Sequence, residues 1–323
     1  MNIGFIGAGR IANILAATMA RMEDVTLCAV AARDLERAQT FAAQYGFRKA
    51  YGSYEELLRD PEVELVYIAT PHSHHAAHMK LCIEHGKHVL CEKAFTLNAA
   101  QAREVAALAK EEGVYVAEAI WTRYMPSRRI INEVLASGII GKISVMTCNL
   151  SYPVTYKERI VRPELAGGAL LDVGIYGLNF ALMHFGDDIV RTDSSVRFSD
   201  TGVDALETIT LHYADGKMAV ITAGVLARGD RKGIFYGEKG YIIVENINNP
   251  QSISIYDLTD TLIQRIEVPA QISGYEYEIR EAMSRIRAGE TEAASMPLSE
   301  SIAVMERMDA LRRDWGLVYP MEH

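Results

Sequence analysis

The opening stretch MNIGFIGAGRIAN constrains the fold more than any other part of the chain. An apolar run, Asn2 to Ile6, leads directly into Gly7-Ala8-Gly9-Arg10-Ile11-Ala12 and then into helical periodicity. That is the strand–turn–helix order in which the G-x-G-x-x-G/A pattern binds dinucleotides. Gly7 permits the tight turn, Gly9 lets the backbone approach a pyrophosphate, and Ala12 lets the helix pack close to the strand. Arg10 and Ile11 lie where the helix N-terminus presents unpaired N–H groups to a phosphate. A glycine turn without a ligand is the alternative, and the placement between strand and helix argues against it.

From residue 2 to about residue 118, β-branched runs alternate with helical periodicity, as a parallel sheet with crossover helices requires. The runs are Asn2 to Ile6, Val25 to Ala31, Leu65 to Ala69, Lys87 to Cys91 and Val114 to Ala117, and Gly46, Gly86 and Gly113 mark helix stops. A doubly wound α/β Rossmann domain is therefore expected over residues 1–120. After Trp121 the pattern becomes α+β: a helix, strands, one long apolar helix, more strands, and closing helices near Glu276 to Arg287 and Leu298 to Trp315. This second domain is expected over residues 121–323. In ETITLHYADGKMAVITAGV, Asp215-Gly216 forms a tight turn between two alternating strands. The second of these is apolar on both parities, Met218, Val220 and Leu226 on one and Ala219, Ile221, Ala223 and Val225 on the other. Helices are expected over one face and a second copy of the chain, a homo-oligomer partner, over the other.

Asp plus Glu outnumber Lys plus Arg by 42 to 33, and a net charge of −9 opposes phosphate backbones and anionic headgroups. No basic patch offsets it, so neither nucleic acid nor a membrane is an expected partner. No apolar run reaches the ~18 residues of a membrane span and the N-terminus lacks a basic n-region, which predicts a cytoplasmic location. Cys28, Cys82, Cys91 and Cys148 show no CxxC spacing and read as buried, reduced thiols.

The end of the second strand, Ala31-Ala32-Arg33-Asp34, discriminates between nicotinamide cofactors. Arg33 can pair with a 2′-phosphate and stack on adenine, which favours NADP(H), while Asp34 keeps NAD(H) open. Open α/β sheets bind ligands at the carboxyl ends of their strands. That rule brings in Thr70, Pro71, His72 and His75 after one strand, and Glu92 and Lys93 at the end of the next. Lys93 faces the crevice there; a snorkelling surface lysine is the alternative. Within the apolar helix GGALLDVGIYGLNF, Asp172, Tyr176 and Asn179 stand at i, i+4 and i+7 and form one polar stripe. A buried carboxylate needs a cation or donors, and Lys93 is the obvious candidate. A structural Asp–Lys pair beside a core tyrosine is the competing reading.

His72, His74, His75 and His78 invite a zinc reading, but no carboxylate or cysteine stands at ligand spacing, so no metal is expected. Trp121 and Arg123 follow the sixth strand, where they either contact substrate, as an aromatic face stacked on a sugar ring or arene would, or anchor packing between the domains. Tyr176, with Lys93 as its electrostatic partner, is the expected general acid/base. A free tyrosine loses its proton near pH 10, and nearby positive charge favours the phenolate.

Read in order, AYGSYEELLRDPEVELVYIATPHSHH, GKHVLCEK, EAIWTRYMP, GGALLDVGIYGLNF, TGVDALETITLHY and PLSESIAVMERMDALRRDWGLVYP span nearly the whole chain. They resemble the glucose-fructose oxidoreductase / inositol dehydrogenase / rhizopine-catabolism (Gfo/Idh/MocA) family, nearest its branch of dimeric dihydrodiol dehydrogenases and NADP-dependent D-xylose dehydrogenases. The resemblance implies a Rossmann domain followed by a domain with a large open, mostly antiparallel sheet that often forms the oligomer interface. It also implies hydride transfer, without metal, on hydroxyl carbons of sugars, cyclitols or dihydrodiols. The leading expectation is an oxidoreductase that moves a hydride between NADP(H) and a hydroxyl or carbonyl carbon of a sugar, sugar lactol or trans-dihydrodiol. The family's E-K-P motif maps to Glu92, Lys93 and Ala94, and its aspartate and acid/base positions map to Asp172 and Tyr176. Ala94 departs from the motif: alanine rarely takes the cis form that proline permits, which bears on where Lys93 sits. Ala32 departs where relatives carry serine. Two other readings compete. A sensor or regulator of this fold would bind the cofactor without turnover and would need no crevice lysine, and redox-assisted glycoside hydrolysis would show no net cofactor reduction.

Overall fold

In the computed structural model, which describes residues 1–322, the apolar runs of the N-terminal part become parallel strands separated by amphipathic helices. These are β1 (Asn2–Ile6), α1 (Arg10–Met19), β2 (Thr26–Ala31), α2 (Leu35–Tyr45), β3 (Lys49–Tyr51), α3 (Tyr54–Leu58), β4 (Leu65–Ile68), α4 (His75–Glu84), β5 (His88–Glu92), α5 (Ala99–Glu112) and β6 (Val116–Ala119). The sheet order is β3-β2-β1-β4-β5-β6 with every pair parallel. Strand order reverses between β1 and β4, so the loops that follow them part and leave a crevice at the strand carboxyl ends. β3 is absent from the sequence reading because three half-buried residues, one of them a lysine held 2.8 Å from Asp60, carry no apolar period.

The following elements are α6 (Pro126–Ala136), β7 (Ile143–Ser151), α7 (Glu158–Val161), α8 (Ile175–Phe185), β8 (Ile189–Phe198), β9 (Asp204–Tyr213), β10 (Met218–Gly224), β11 (Gly233–Gly237), β12 (Gly240–Val244), β13 (Ser252–Asp257) and β14 (Leu262–Glu267). Their eight-stranded sheet runs β14-β13-β12-β11-β7-β10-β9-β8, antiparallel except where β7 meets β10. The Asp215-Gly216 hairpin forms as expected, with Met218 opposite His212. On β10, Ala219, Ile221 and Ala223 are buried beneath α8, whose Gly177 leaves no room for a Cβ against Ile221. Met218 and Val220, on the other parity, remain half-exposed.

Two expectations about this part are corrected. The sequence predicts one continuous helix from Gly167, whereas the chain forms a π-turn over Leu170–Gly174 before α8 begins. Pro163–Phe185 is also long and apolar enough to pass for a membrane span by composition. It is a core segment, with 89% of its apolar window buried in the protein.

The chain then continues through α9 (Glu276–Arg287) and α10 (Leu298–Trp315). Its two compact units are not successive halves split at residue 120, because one comprises residues 1–124 and 271–306 and the other residues 125–270 and 307 onward. Within the first unit, the Thr291 carbonyl accepts from Val116 N–H at 3.0 Å on the edge strand β6, while α9 buries Ile279, Ala282 and Met283. An open sheet edge needs such cover, which is a requirement of the sheet rather than of adjacent sequence.

Candidate active site

Gly7 adopts φ +100°, and a Cβ there would stand 3.0 Å from the Ala69 carbonyl oxygen, so the turn admits only glycine. Gly9 caps α1 without any side-chain hydrogen bond to the helix, and the space where its Cβ would be meets only Ala69 O at 3.9 Å. Uncapped N–H groups at Arg10 and Ile11, open space before Gly9 and a fully buried Ala12 together suit a dinucleotide pyrophosphate.

Arg33 follows β2 and is exposed. Asp34 caps α2, its Oδ1 accepting from Glu36 N–H at 2.9 Å and Arg37 N–H at 3.4 Å. Arg37, which the sequence reading did not single out, reaches back to donate to the Ala8 carbonyl in the phosphate loop at 2.9 Å. Both arginines act on Tyr54, whose hydroxyl pKa burial raises and their charges lower.

The loops after β4 and β5 are tied together by His75. Its ring nitrogens lie 2.7 Å from the Ala94 carbonyl and 2.8 Å from the Thr70 carbonyl, and the side chain is fully buried. Two carbonyl acceptors call for N–H on both nitrogens, opposing the burial that lowers its pKa. The peptide bond between Lys93 and Ala94 is cis, so alanine here takes the form the sequence argues against. Beside Lys93, the Glu92 carboxylate accepts from Tyr67 Oη, and His72 packs edge-on to His75 at 5.8 Å. Thr70 Oγ1 meets His78 Nδ1 at 3.0 Å, and burial holds the His78 pKa near 4, so that ring is neutral at pH 7. Among the described residues, no three His, Cys, Asp or Glu side chains are grouped to hold a metal.

Trp121 stacks on Tyr275 with ring centroids 4.1 Å apart and planes 5° from parallel, and Arg123 is buried in an ion pair with Glu300. Both side chains are thus engaged inside the first unit, through partners on the returning segment.

Glu118, buried on β6, accepts from Phe95 N–H at 3.0 Å, and burial pushes its carboxyl up to about 7. An ordinary carboxyl of this type titrates at 4.5. The folded pKa lies above the unfolded one, so this stability is complete below pH 4.5 and falls by about 3 kcal/mol as pH rises through 7. Glu118→Gln is therefore expected to gain about 3 kcal/mol on the wild type between pH 4.5 and pH 8, a difference that denaturant melts at both pH values would measure.

In the second unit, Asp172 lies in the π-turn and Tyr176 opens α8, and both are buried. Arg159 of α7 pairs with the Asp172 carboxylate through two bonds, 2.8 and 3.4 Å. The expected partner was Lys93, which belongs to the first unit; the cation that Asp172 finds within its own unit is Arg159. Asn179 is fully buried and donates to the Ile175 carbonyl at 2.9 Å. A run such as KERIVRPE offers no periodic signal for Arg159, because its role depends on a turn folding over the helix start.

The first unit thus carries a glycine turn suited to a dinucleotide pyrophosphate, and the second a buried aspartate–tyrosine turn. Residues 1–119 match the model of an oxidoreductase family with an NAD-binding Rossmann fold, and residues 129–243 match the Gfo/Idh/MocA C-terminal domain. The chain belongs to the Gfo/Idh/MocA oxidoreductase family and is an enzyme that acts on CH–OH groups. It is 34% identical over 332 residues to trans-1,2-dihydrobenzene-1,2-diol dehydrogenase of Mus musculus, covering 99% of this chain and 98% of that protein. The Homo sapiens protein of the same name is also 34% identical, with the same coverage. A 3-ketoreductase from Actinomadura kijaniata, solved with TDP-benzene and NADP, has a TM-score of 0.87 at 25% identity over 97% of this chain and 96% of that one. An aldose-aldose oxidoreductase from Caulobacter crescentus, solved with glycerol, shares the fold, with a TM-score of 0.87, 21% identity and the same coverage.

Proposed function

We propose that the protein is an NADP(H)-preferring dehydrogenase or reductase for a sugar, sugar lactol or trans-dihydrodiol, with Tyr176 as general acid/base and Lys93 as its electrostatic partner. The observation that carries this reading is the buried tyrosine one turn after an ion-paired aspartate, in a chain whose other unit is a dinucleotide-binding fold. A cofactor-binding sensor has no use for such a turn. When bound, the nicotinamide dinucleotide supplies or accepts hydride. Tyr176 Oη takes the substrate hydroxyl proton in oxidation and returns it to the carbonyl oxygen in reduction. Lys93 contributes positive charge that favours the phenolate, and Asp172 pairs with Arg159 one turn before the tyrosine. Screening NADP+ and NAD+ against aldoses, cyclitols and dihydrodiols by the absorbance of the reduced nicotinamide tests the reading. Binding of cofactor with no turnover on any of them would favour the sensor.

The preference for NADP(H) is supported by Arg33, exposed after β2, and by Arg37, which donates to the Ala8 carbonyl of the loop. One charge-assisted contact to a 2′-phosphate contributes about 1.5–3 kcal/mol, so NADP+ is expected to bind at least about tenfold more tightly than NAD+. Arg33→Ala should erase most of that ratio in fluorescence titrations, and equal affinities in the wild type would refute the preference.

The large sheet supports a homo-oligomeric assembly. Val145, Thr147, Val220, Ile234, Tyr236 and Ile243 are neighbours across β7, β10, β11 and β12 on the face away from α8, half-buried or exposed. Val220→Glu is expected to convert the assembly to monomer in sedimentation velocity, and a monomeric wild type at micromolar concentration would reject the idea. A cytoplasmic location fits four buried, unbridged cysteines, with burial raising the Cys148 thiol to about 12.

A further inference from the structure

Two carboxyl groups beneath the π-turn take no part in the chemistry above. Asp204 opens β9 and Glu207 lies three residues on, a spacing that would put them on opposite faces of a regular strand. A register shift in the β8–β9 ladder, where Phe198 and Arg197 face Asp204 and Leu206, leaves Ala205 as an extra residue. The bulge turns both carboxyls inward, and both are fully buried.

Asp204 Oδ2 accepts from Leu170 N–H, the first residue of the π-turn, at 2.5 Å. Its other oxygen and both oxygens of Glu207 find no donor among the described residues. Among the described residues, Asp204 is the charged group that acts on Glu207, and burial raises the pKa of both. The remaining neighbours come from two elements. On the π-turn are the backbone N–H groups of Ala169 and Leu170 and, further along, Asp172, held by Arg159. From the C-terminal segment comes Tyr319, which donates to Gly167 O at 2.7 Å and has Arg312 over its ring, itself paired with Asp309 and Glu322. The turn is shaped to these carboxyls. A Cβ at Gly168 would run into Asp204, and one at Gly174 would run into Glu207.

Two adjacent buried carboxylates cannot both be ionised, whereas one proton between them makes a strong hydrogen bond and leaves a single charge facing the turn's N–H groups. We propose that Asp204 and Glu207 share one proton and together act as positioning residues, setting the π-turn that holds Asp172 and leads into Tyr176 on α8. Their part in turnover rests on the acid/base reading of Tyr176. The shared proton itself does not.

The test uses the full-length protein with Glu207→Gln, which keeps a permanent donor to Asp204, and Glu207→Leu, which cannot bond to it. The unfolded chain has released this proton once the pH exceeds the ordinary carboxyl range, so the pair's contribution to stability falls as pH rises in the wild type and has no counterpart in the glutamine variant. Thermal melts of wild type and Glu207→Gln are expected to differ by about 5 °C more at pH 8 than at pH 5. Parallel melts across that range would overturn the shared proton. In kinetics, Glu207→Gln should keep kcat within about twofold and lose any alkaline decline, while Glu207→Leu loses at least about tenfold in kcat with the KM for dinucleotide unchanged. Wild-type kcat in Glu207→Leu would overturn the positioning role. The melts involve no turnover, so they decide the proton even if Tyr176→Phe proves active, an outcome that removes the acid/base reading alone.

Discussion

Replacing Tyr176 by phenylalanine is expected to lower kcat by about 100-fold or more, with dinucleotide affinity unchanged. The substitution removes one oxygen and keeps the ring that opens α8 and packs, nearly buried, in the second unit. The loss therefore isolates proton transfer. Steady-state kinetics on the cognate substrate, with a fluorescence titration of the cofactor alongside, would show it. If most of the wild-type kcat survives, the proton goes elsewhere, and His72 or an ordered water becomes the candidate.

Lys93→Met is expected to be at least as damaging to kcat, because it removes the positive charge that the proposed mechanism uses to favour the tyrosinate, while keeping the length of the side chain. From sequence alone the same change would also strand Asp172 without a cation. The Arg159 pair alters that expectation: Asp172 keeps a two-bond partner, so the variant should fold with a melting temperature close to wild type, the loss falling on kcat. A structural readout accompanies the kinetics. The Lys93 charge acts to lower both the His75 and the Glu118 pKa, so both should rise in the variant, and the His75 ring signals in NMR would report it. Unchanged kcat with shifted His75 signals would show that Lys93 is an electrostatic neighbour without a role in turnover.

The parts of the site legible in the sequence are those built by neighbours in the chain. Gly7, Gly9 and Ala12 act within one turn, Arg33 is placed by the end of the strand it follows, and Lys93 by the end of β5. Arg37, Arg159 and Tyr275 were not legible, since each is recruited by a partner brought close through the fold: Ala8, Asp172 and Trp121. Asp204 and Glu207 were hidden for a sharper reason. At a spacing of three in a strand they read as one inward and one outward residue, and only a bulge at Ala205 places them on the same side.

By itself the sequence determined a parallel, doubly wound sheet with a dinucleotide loop at its first turn, a second α+β region, and a tyrosine one helical turn after an aspartate. Alternation, helical period and turn chemistry act over a few residues and are written locally. The tertiary structure alone decided which cation Asp172 meets within its unit, that its helix begins with a π-turn, and that residues 271–306 rejoin the first unit to cover the edge of β6. Those outcomes follow from burial. A carboxylate, an orphaned carbonyl or an open strand edge must be satisfied by whatever the folded chain brings within reach, and no local pattern records what that will be.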